Sequence, residues 1–359
     1  MDQDGNEIIL AESGRAGLVK LNRPKALNAV TFVMIRALEP FYHRCAKNPH
    51  IYGIVMEAEG KAFSAGGDIR TLHEWIQNDI AEADQFYAEE YQHNWTLESF
   101  RKPHVALMNG IAMGGGAGIS LYGTHRAAGE NMAFAMPETG IGFFPDIGGG
   151  WFLPRMPGMI GMYLGLTGYI CDRASAYYAG VVTHCIPAAQ FVTVKEAMTE
   201  GEPVDPILDG LHEQPGESFL ERHREPIDRI FAAASLDEIL TGLEREVGPW
   251  RGWARETLET LGKKSPLALK ITFEQLRRGR QYRTLKEALV VEYRLATRTI
   301  RQPDFPEGIR AVIVDKDYSP KWQPASLAEV DDGFVQSLFA PLPAGDLLLE
   351  DYWTPPATP

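Results

Sequence analysis

Short apolar runs broken by glycine fill the first half of the chain, and longer stretches of helical spacing fill the second. NEIILAES and AGLVKLN are strand-like runs split by Gly14-Arg15, which predicts a hairpin. ALNAVTFVMIRALEPFYHRCAKN then carries its apolar residues at helical spacing. IYGIVMEAEG is the apolar run of a buried strand, followed by FSAGGD and the helix-like IRTLHEWIQ. HVALMNGIAMGGG repeats that layout of strand, glycine turn and helix (AGISLYG), and HRAAGENMAFAMPE is a third strand passage. Strands alternating with helices predict an α/β fold.

From about Phe191 the texture changes to Glu, Arg and Leu at helical spacing, as in SFLERHREPIDRIFAA and LKEALVVEYRLATRTI. The pattern divides the chain into an α/β core over residues 1–187, a mainly helical region over 188–340 and a Pro-rich tail over 341–359. The tail is expected to fray or to drape over the surface. The acidic, aromatic segment Asp79–Glu98 is mostly helix by pattern. It reads either as a solvated amphipathic helix or as a lid, an insertion near 73–100, carrying Glu89 or Glu90 inward.

Composition narrows the class. With 45% apolar and 23% charged residues, 359 residues are enough to bury a large core. The net charge of −13 and the absence of a basic run argue against a nucleic-acid partner, although a local pocket can differ in sign from the whole surface. Cys45, Cys171 and Cys185 are too scattered for a disulfide framework or a zinc site, which suggests a reducing compartment. The N-terminus is acidic and unlike a signal or transit peptide, and no apolar run approaches the roughly 20 residues that span a bilayer. The expectation is a soluble, cytoplasmic protein with no metal.

Chemistry concentrates in three places. FSAGGD and MGGGAG each follow a strand and open a helix, where free backbone N–H groups and the helix dipole favour negative charge. Two such turns on neighbouring strands could aim one N–H each at a single oxygen, and one such donor is worth about 3 kcal/mol of transition-state stabilisation. Either turn alone is equally what close helix–strand packing requires. The third place is MPETGIGFFPDIGGG, where Glu138 and Asp146 each follow a proline among aromatic residues. Singly, each acid is as well explained by a helix first turn or an Asx-turn. A dry setting would raise the pKa of Glu138 and make it a usable base or nucleophile.

In this order the three pieces resemble the crotonase (enoyl-CoA hydratase/isomerase) superfamily, and within it the branch of 3-hydroxyisobutyryl-CoA hydrolases. The superfamily marks are LNRPKALNA (Leu21–Ala29), KAFSAGGDIR (Lys61–Arg70) and NGIAMGGGAGIS (Asn109–Ser120). The branch marks are Ala135–Arg155, Leu166–His184, Lys263–Thr272 and Glu307–Trp322. The resemblance implies a spiral of ββα units completed by C-terminal helices, and an acyl-CoA thioester as substrate with no separate cofactor. It implies an oxyanion hole from Gly67 and Gly115, with coenzyme A contacts at Lys25, Ala65, Asp68 and Ile69. It makes Glu138 the nucleophile or general base, Asp146 its orienting partner, and Glu90 a substrate-binding acid. Hydratases of the superfamily carry a further acid where this chain has Gly118, which puts hydration in doubt. A hydratase or isomerase working with Glu138 alone stays open, as does a scaffold without catalysis. A homo-oligomer is open too: superfamily members often form trimers, and the extra helices over about 191–262 could block or replace those contacts.

Overall fold

The computed structural model describes residues 6–352. Among these residues ten strands form two sheets. The larger joins β1 (Ile8–Ser13), β2 (Ala16–Leu21), β3 (Gly53–Ala58), β5 (His104–Met108), β7 (His125–Ala128) and β10 (His184–Cys185), in that order. The smaller joins β4 (Ala62–Ser64), β6 (Ile111–Met113), β8 (Ala133–Ala135) and β9 (Cys171–Asp172). β1 and β2 form the expected hairpin, and every other pair in the larger sheet is parallel.

Two runs expected as single strands are each divided between the sheets. HVALMNGIAM becomes β5 and β6, and HRAAGENMAFA becomes β7 and β8. The corner after β5 is forced by Gly110, whose φ of +90° suits glycine and where a Cβ would lie 2.1 Å from the Lys61 carbonyl oxygen. Each repeat therefore sends one strand to each sheet before its helical turn. β4, β6 and β8 run parallel as neighbours. The two glycine turns and the Pro137-Glu138 turn consequently leave the same end of one small sheet. Side-by-side parallel strands bring their C-terminal loops together, which is where open α/β sheets place ligands.

The first helix, α1 (Phe32–Lys47), begins later than its apolar spacing predicts. Leu27 and Asn28 take positive φ of 51° and 54°, and the Asn28 side chain donates to the Glu59 and Ala62 carbonyls at 2.9 and 2.8 Å. LNRPKALNA is thus a tight loop laced to the β3–β4 corner rather than a helical turn. Thr31 caps α1 by accepting from the Met34 N–H at 3.2 Å.

After α2 (Ile69–Asn78), α3 (Ile80–Ser99) settles the acidic segment. Ala83, Phe86, Tyr87, Glu90, Tyr91, Asn94 and Leu97 are buried, a stripe at three- and four-residue spacing. α3 packs between α1 and the helix Leu285–Thr299, so it is a wall of the core and not a solvated rod. One hydrophobic cluster runs from Ile8 through the C-terminal helices to Leu349. Within the described residues the tail drapes rather than frays: the Glu350 N–H donates to Gln92 Oε1 at 2.7 Å, and Trp95 Nε1 donates to Asp351 at 2.7 Å. The tail's last residues, 353–359, lie outside the described range.

Candidate active site

At the shared end of β4, β6 and β8 lies a cavity of about 740 Å³. Its exposed rim carries Lys25, Arg70 and Lys316, while its buried part carries Glu90, Glu138 and Asp146. A protein of net charge −13 thus presents three cations at one opening, which favours an anionic ligand there.

Gly115 opens the helix α4 (Gly115–Leu121), so its N–H is among those a helix leaves without an internal partner. Gly114 before it has φ 47° and ψ −132°, a conformation reserved for glycine. Ala65 and Asp68 donate to the Leu27 and Val30 carbonyls, but among the described residues the Gly67 N–H makes no backbone hydrogen bond. The two turns approach closely: a Cβ added at Gly115 would lie 3.2 Å from the Gly67 nitrogen and 2.5 Å from Glu90 Oε1.

Glu138 enters the same space from the short turn Glu138–Ile141. It is 7% exposed, and its Oε2 is buried without a hydrogen-bond partner among the described residues. A Cβ on Gly114 would stand 2.8 Å from Glu138 Oε1. Burial first, and then the Asp146 charge, hold the Glu138 carboxyl well above the usual range, with Lys264 pulling the other way. Asp146 accepts from the Tyr91 hydroxyl at 2.9 Å, and burial pushes its carboxyl up to about 7 against that bond. Glu90 is likewise held well above its usual range by burial and by Asp146, and its Oε1 is also unpartnered among the described residues.

The choice between Glu89 and Glu90 resolves on helical phase. Glu90 lies on the buried stripe of α3, while Glu89 faces out and accepts from Arg36 Nε and Nη2 at 2.8 and 2.9 Å. Lys25, Ala65, Asp68 and Ile69 all line the cavity. The Asp68 carboxylate is already engaged, however. It takes Arg23 Nη2 at 3.0 Å and caps α2 by accepting from the Thr71 N–H at 3.3 Å.

Gly118 is crowded as well as lacking an acid. A Cβ there would meet Asn94 Nδ2 and Ile147 Cβ, both at 3.0 Å, before any carboxylate was reached. Sequence reasoning missed four further lining or supporting residues: Tyr87, Tyr91, Lys264 and Glu292. Lys264 lines the cavity half-buried, its ammonium lowered by burial and raised again by Glu138. Glu292 had a legible signal. It sits on the apolar stripe Leu285, Ala288, Leu289, Glu292, Leu295 and Ala296, where a carboxylate needs buried partners.

A spiral of ββα units that aims two glycine turns and a dry glutamate into one cavity defines a crotonase-type protein. The chain belongs to the Enoyl-CoA hydratase/isomerase family, whose pattern it matches over residues 16–339. It is 41% identical to the mitochondrial 3-hydroxyisobutyryl-CoA hydrolase of Homo sapiens over 352 residues, 95% of this chain and 90% of that protein. Among solved structures it is similar to an enoyl-CoA hydratase from Rhodobacter sphaeroides, with a TM-score of 0.89 and 38% identity over 96% of this chain and all of that one. It is also similar to a carnitinyl-CoA dehydratase from Mycobacterium thermoresistibile, with a TM-score of 0.91 and 32% identity over 96% and 99% of the two chains. Among the described residues no helix is long and apolar enough to cross a membrane.

Proposed function

We propose that this protein hydrolyses an acyl-CoA thioester, 3-hydroxyisobutyryl-CoA, to 3-hydroxyisobutyrate and free CoA, a step of valine catabolism. The observation that carries the reading is the pairing of Glu138, whose Oε2 is buried and unpartnered among the described residues, with a Gly118 position crowded by Asn94 and Ile147. Hydration needs one group to activate water and a means of delivering a proton to carbon, and the site lacks the acid that superfamily hydratases place at 118. Thioester cleavage needs one activated carboxylate and a place for the oxyanion.

The thioester oxygen would sit between the Gly67 and Gly115 N–H groups, which stabilise the charge that develops as the carbonyl becomes tetrahedral. Glu138 either attacks the carbonyl carbon, forming a mixed anhydride that water then hydrolyses after the thiolate leaves, or removes a proton from an attacking water and passes it to the departing thiolate. Capture of the acyl group on Glu138 by hydroxylamine separates the two routes. Asp146, held by Tyr91, would orient Glu138 or the substrate hydroxyl. Glu90 would bind that hydroxyl, and a site built for a hydroxyl rejects analogues lacking it because its polar groups are left unpaired. The cations at the rim suit the phosphates of CoA. For its location we propose the cytoplasm, a reducing compartment in keeping with three buried free cysteines; the human relative's name reads mitochondrial.

Two assays on one sample test the reading: thiol release from 3-hydroxyisobutyryl-CoA and hydration of crotonyl-CoA. Thiol release with little hydration is expected. Hydration or double-bond migration without thiol release would sink it, and hydration would favour the reactions named for the two solved structures. The pH profile carries a second expectation. Glu138 must be ionised to act, and its folded-state carboxyl lies well above the usual range. kcat/KM should therefore still be climbing above the pH at which an ordinary carboxylate is fully ionised, and level off only at higher pH. A profile already flat from about pH 5, near an ordinary carboxylate, would contradict the dry-site account.

A further inference from the structure

The loop that carries Asp146 is strained and is held from a distant part of the chain. Ile147, β-branched, has φ of +50°, and Gly148 follows at +86°. Backbone of this kind persists only where its surroundings over-determine it. Side chains distant in sequence restrain it. The Gly148 N–H donates to Glu292 Oε2 at 2.6 Å and the Gly150 N–H to Glu292 Oε1 at 2.8 Å. Gln275 Nε2 donates to the Pro145 carbonyl at 2.8 Å and to Glu292 Oε1 at 3.1 Å. The Tyr122 hydroxyl donates to the Ile147 carbonyl at 2.7 Å.

Glu292 is 1% exposed and does not line the cavity. Both of its oxygens accept, so it serves the loop as a two-pronged acceptor. What the loop does with that support is specific. Ile147 is pressed into the space beside Gly118, and Asp146 is turned onto the Tyr91 hydroxyl.

We propose that Glu292 is a positioning residue of the active site, clamping the Gly148 and Gly150 N–H groups so that Asp146 meets Tyr91 and Ile147 crowds the Gly118 position. The role rests on the thioester-hydrolase reading for its catalytic consequence, while the clamp itself does not. Glu292→Gln removes one of the two acceptor prongs and sets an amide NH₂ against a backbone donor.

Three measurements decide it. Amide exchange at Gly148 and Gly150 should speed by about 10-fold or more in Glu292→Gln, the scale of one lost buried hydrogen bond, with the amides of β5 unchanged. kcat for thiol release should fall by about 10-fold while KM stays within about 2-fold, because the contacts to the CoA portion are untouched. In an Asp146→Asn background the same change should cost less than about 2-fold, since residues acting through one another are not additive. Unchanged exchange at the two glycines overturns the clamp. Faster exchange with a full additional loss in the Asp146→Asn background overturns the route through Asp146. If the parent releases no CoA, the hydrolase reading fails, and the exchange result still judges the clamp. Should Glu292→Gln not fold, Gln275→Leu removes the neighbouring bond to Pro145 on the same loop. It should show the same split between kcat and KM at smaller size, and equal kcat to the parent would overturn the proposal.

Discussion

Glu138→Gln is expected to lower thiol release from 3-hydroxyisobutyryl-CoA by about 10³-fold with little change in KM, within the range found for a lost general base. Gln preserves size and the cavity wall but can neither attack the thioester nor take a proton from water. The same substitution should make the protein more stable at pH 8. In the fold, burial and Asp146 raise the Glu138 pKa above its unfolded value. A carboxyl of this kind favours the fold while it is protonated in both states, at a pH below its unfolded pKa. As pH rises past that value the unfolded chain releases its proton first, and the fold is penalised progressively until the folded pKa is passed. Gln carries no such penalty. The melting temperature of Glu138→Gln should therefore exceed the parent's at pH 8, with the gap closing toward pH 4. Equal melting curves at both pH values would show that Glu138 is not held in a costly setting. Retained thiol release would remove it from the chemistry.

How far the sequence led depended on the range of the interaction concerned. The ββα order was legible because glycine turns mark strand ends, and Gly67, Gly115 and Glu138 do leave neighbouring parallel strands. Glu90 could be separated from Glu89 only by the phase of a whole helix, which a short acidic stretch does not provide. The corner at Gly110 was misread as continuous strand because apolar residues flank it on both sides. The helical start at Leu27–Asn28 was misread because its turn is held by carbonyls of Glu59 and Ala62, more than thirty residues away. Glu292 is the plainest case. Its place on an apolar stripe announced a buried carboxylate, but nothing near it in sequence named the Gly148 and Gly150 N–H groups as partners. Periodicity tells which face of a helix is buried; it does not tell what lies against that face.

Gly115→Ala should cost nearly as much activity as the loss of an oxyanion donor, by a steric route. Gly115 is the first residue of α4, and its φ is not in the left-handed region, so alanine suits its backbone and the helix. The added methyl, however, would stand 2.5 Å from Glu90 Oε1 and 3.2 Å from the Gly67 nitrogen. Both are shorter than ordinary contacts, and the second lies where the proposed oxyanion hole would hold the thioester oxygen. Substrate could then reach the turn only with its carbonyl displaced, and kcat should fall by about 10²-fold or more, the scale of one removed donor. Because the substitution leaves the rim side chains Lys25, Arg70 and Lys316 unchanged, affinity for free CoA should stay close to the parent's. Gly67→Ala provides the contrast. A Cβ there meets only the Phe86 ring, at 3.9 Å, so its activity should be the less impaired of the two. The reverse order, with Gly67→Ala inactive and Gly115→Ala near parental, would place the oxyanion elsewhere.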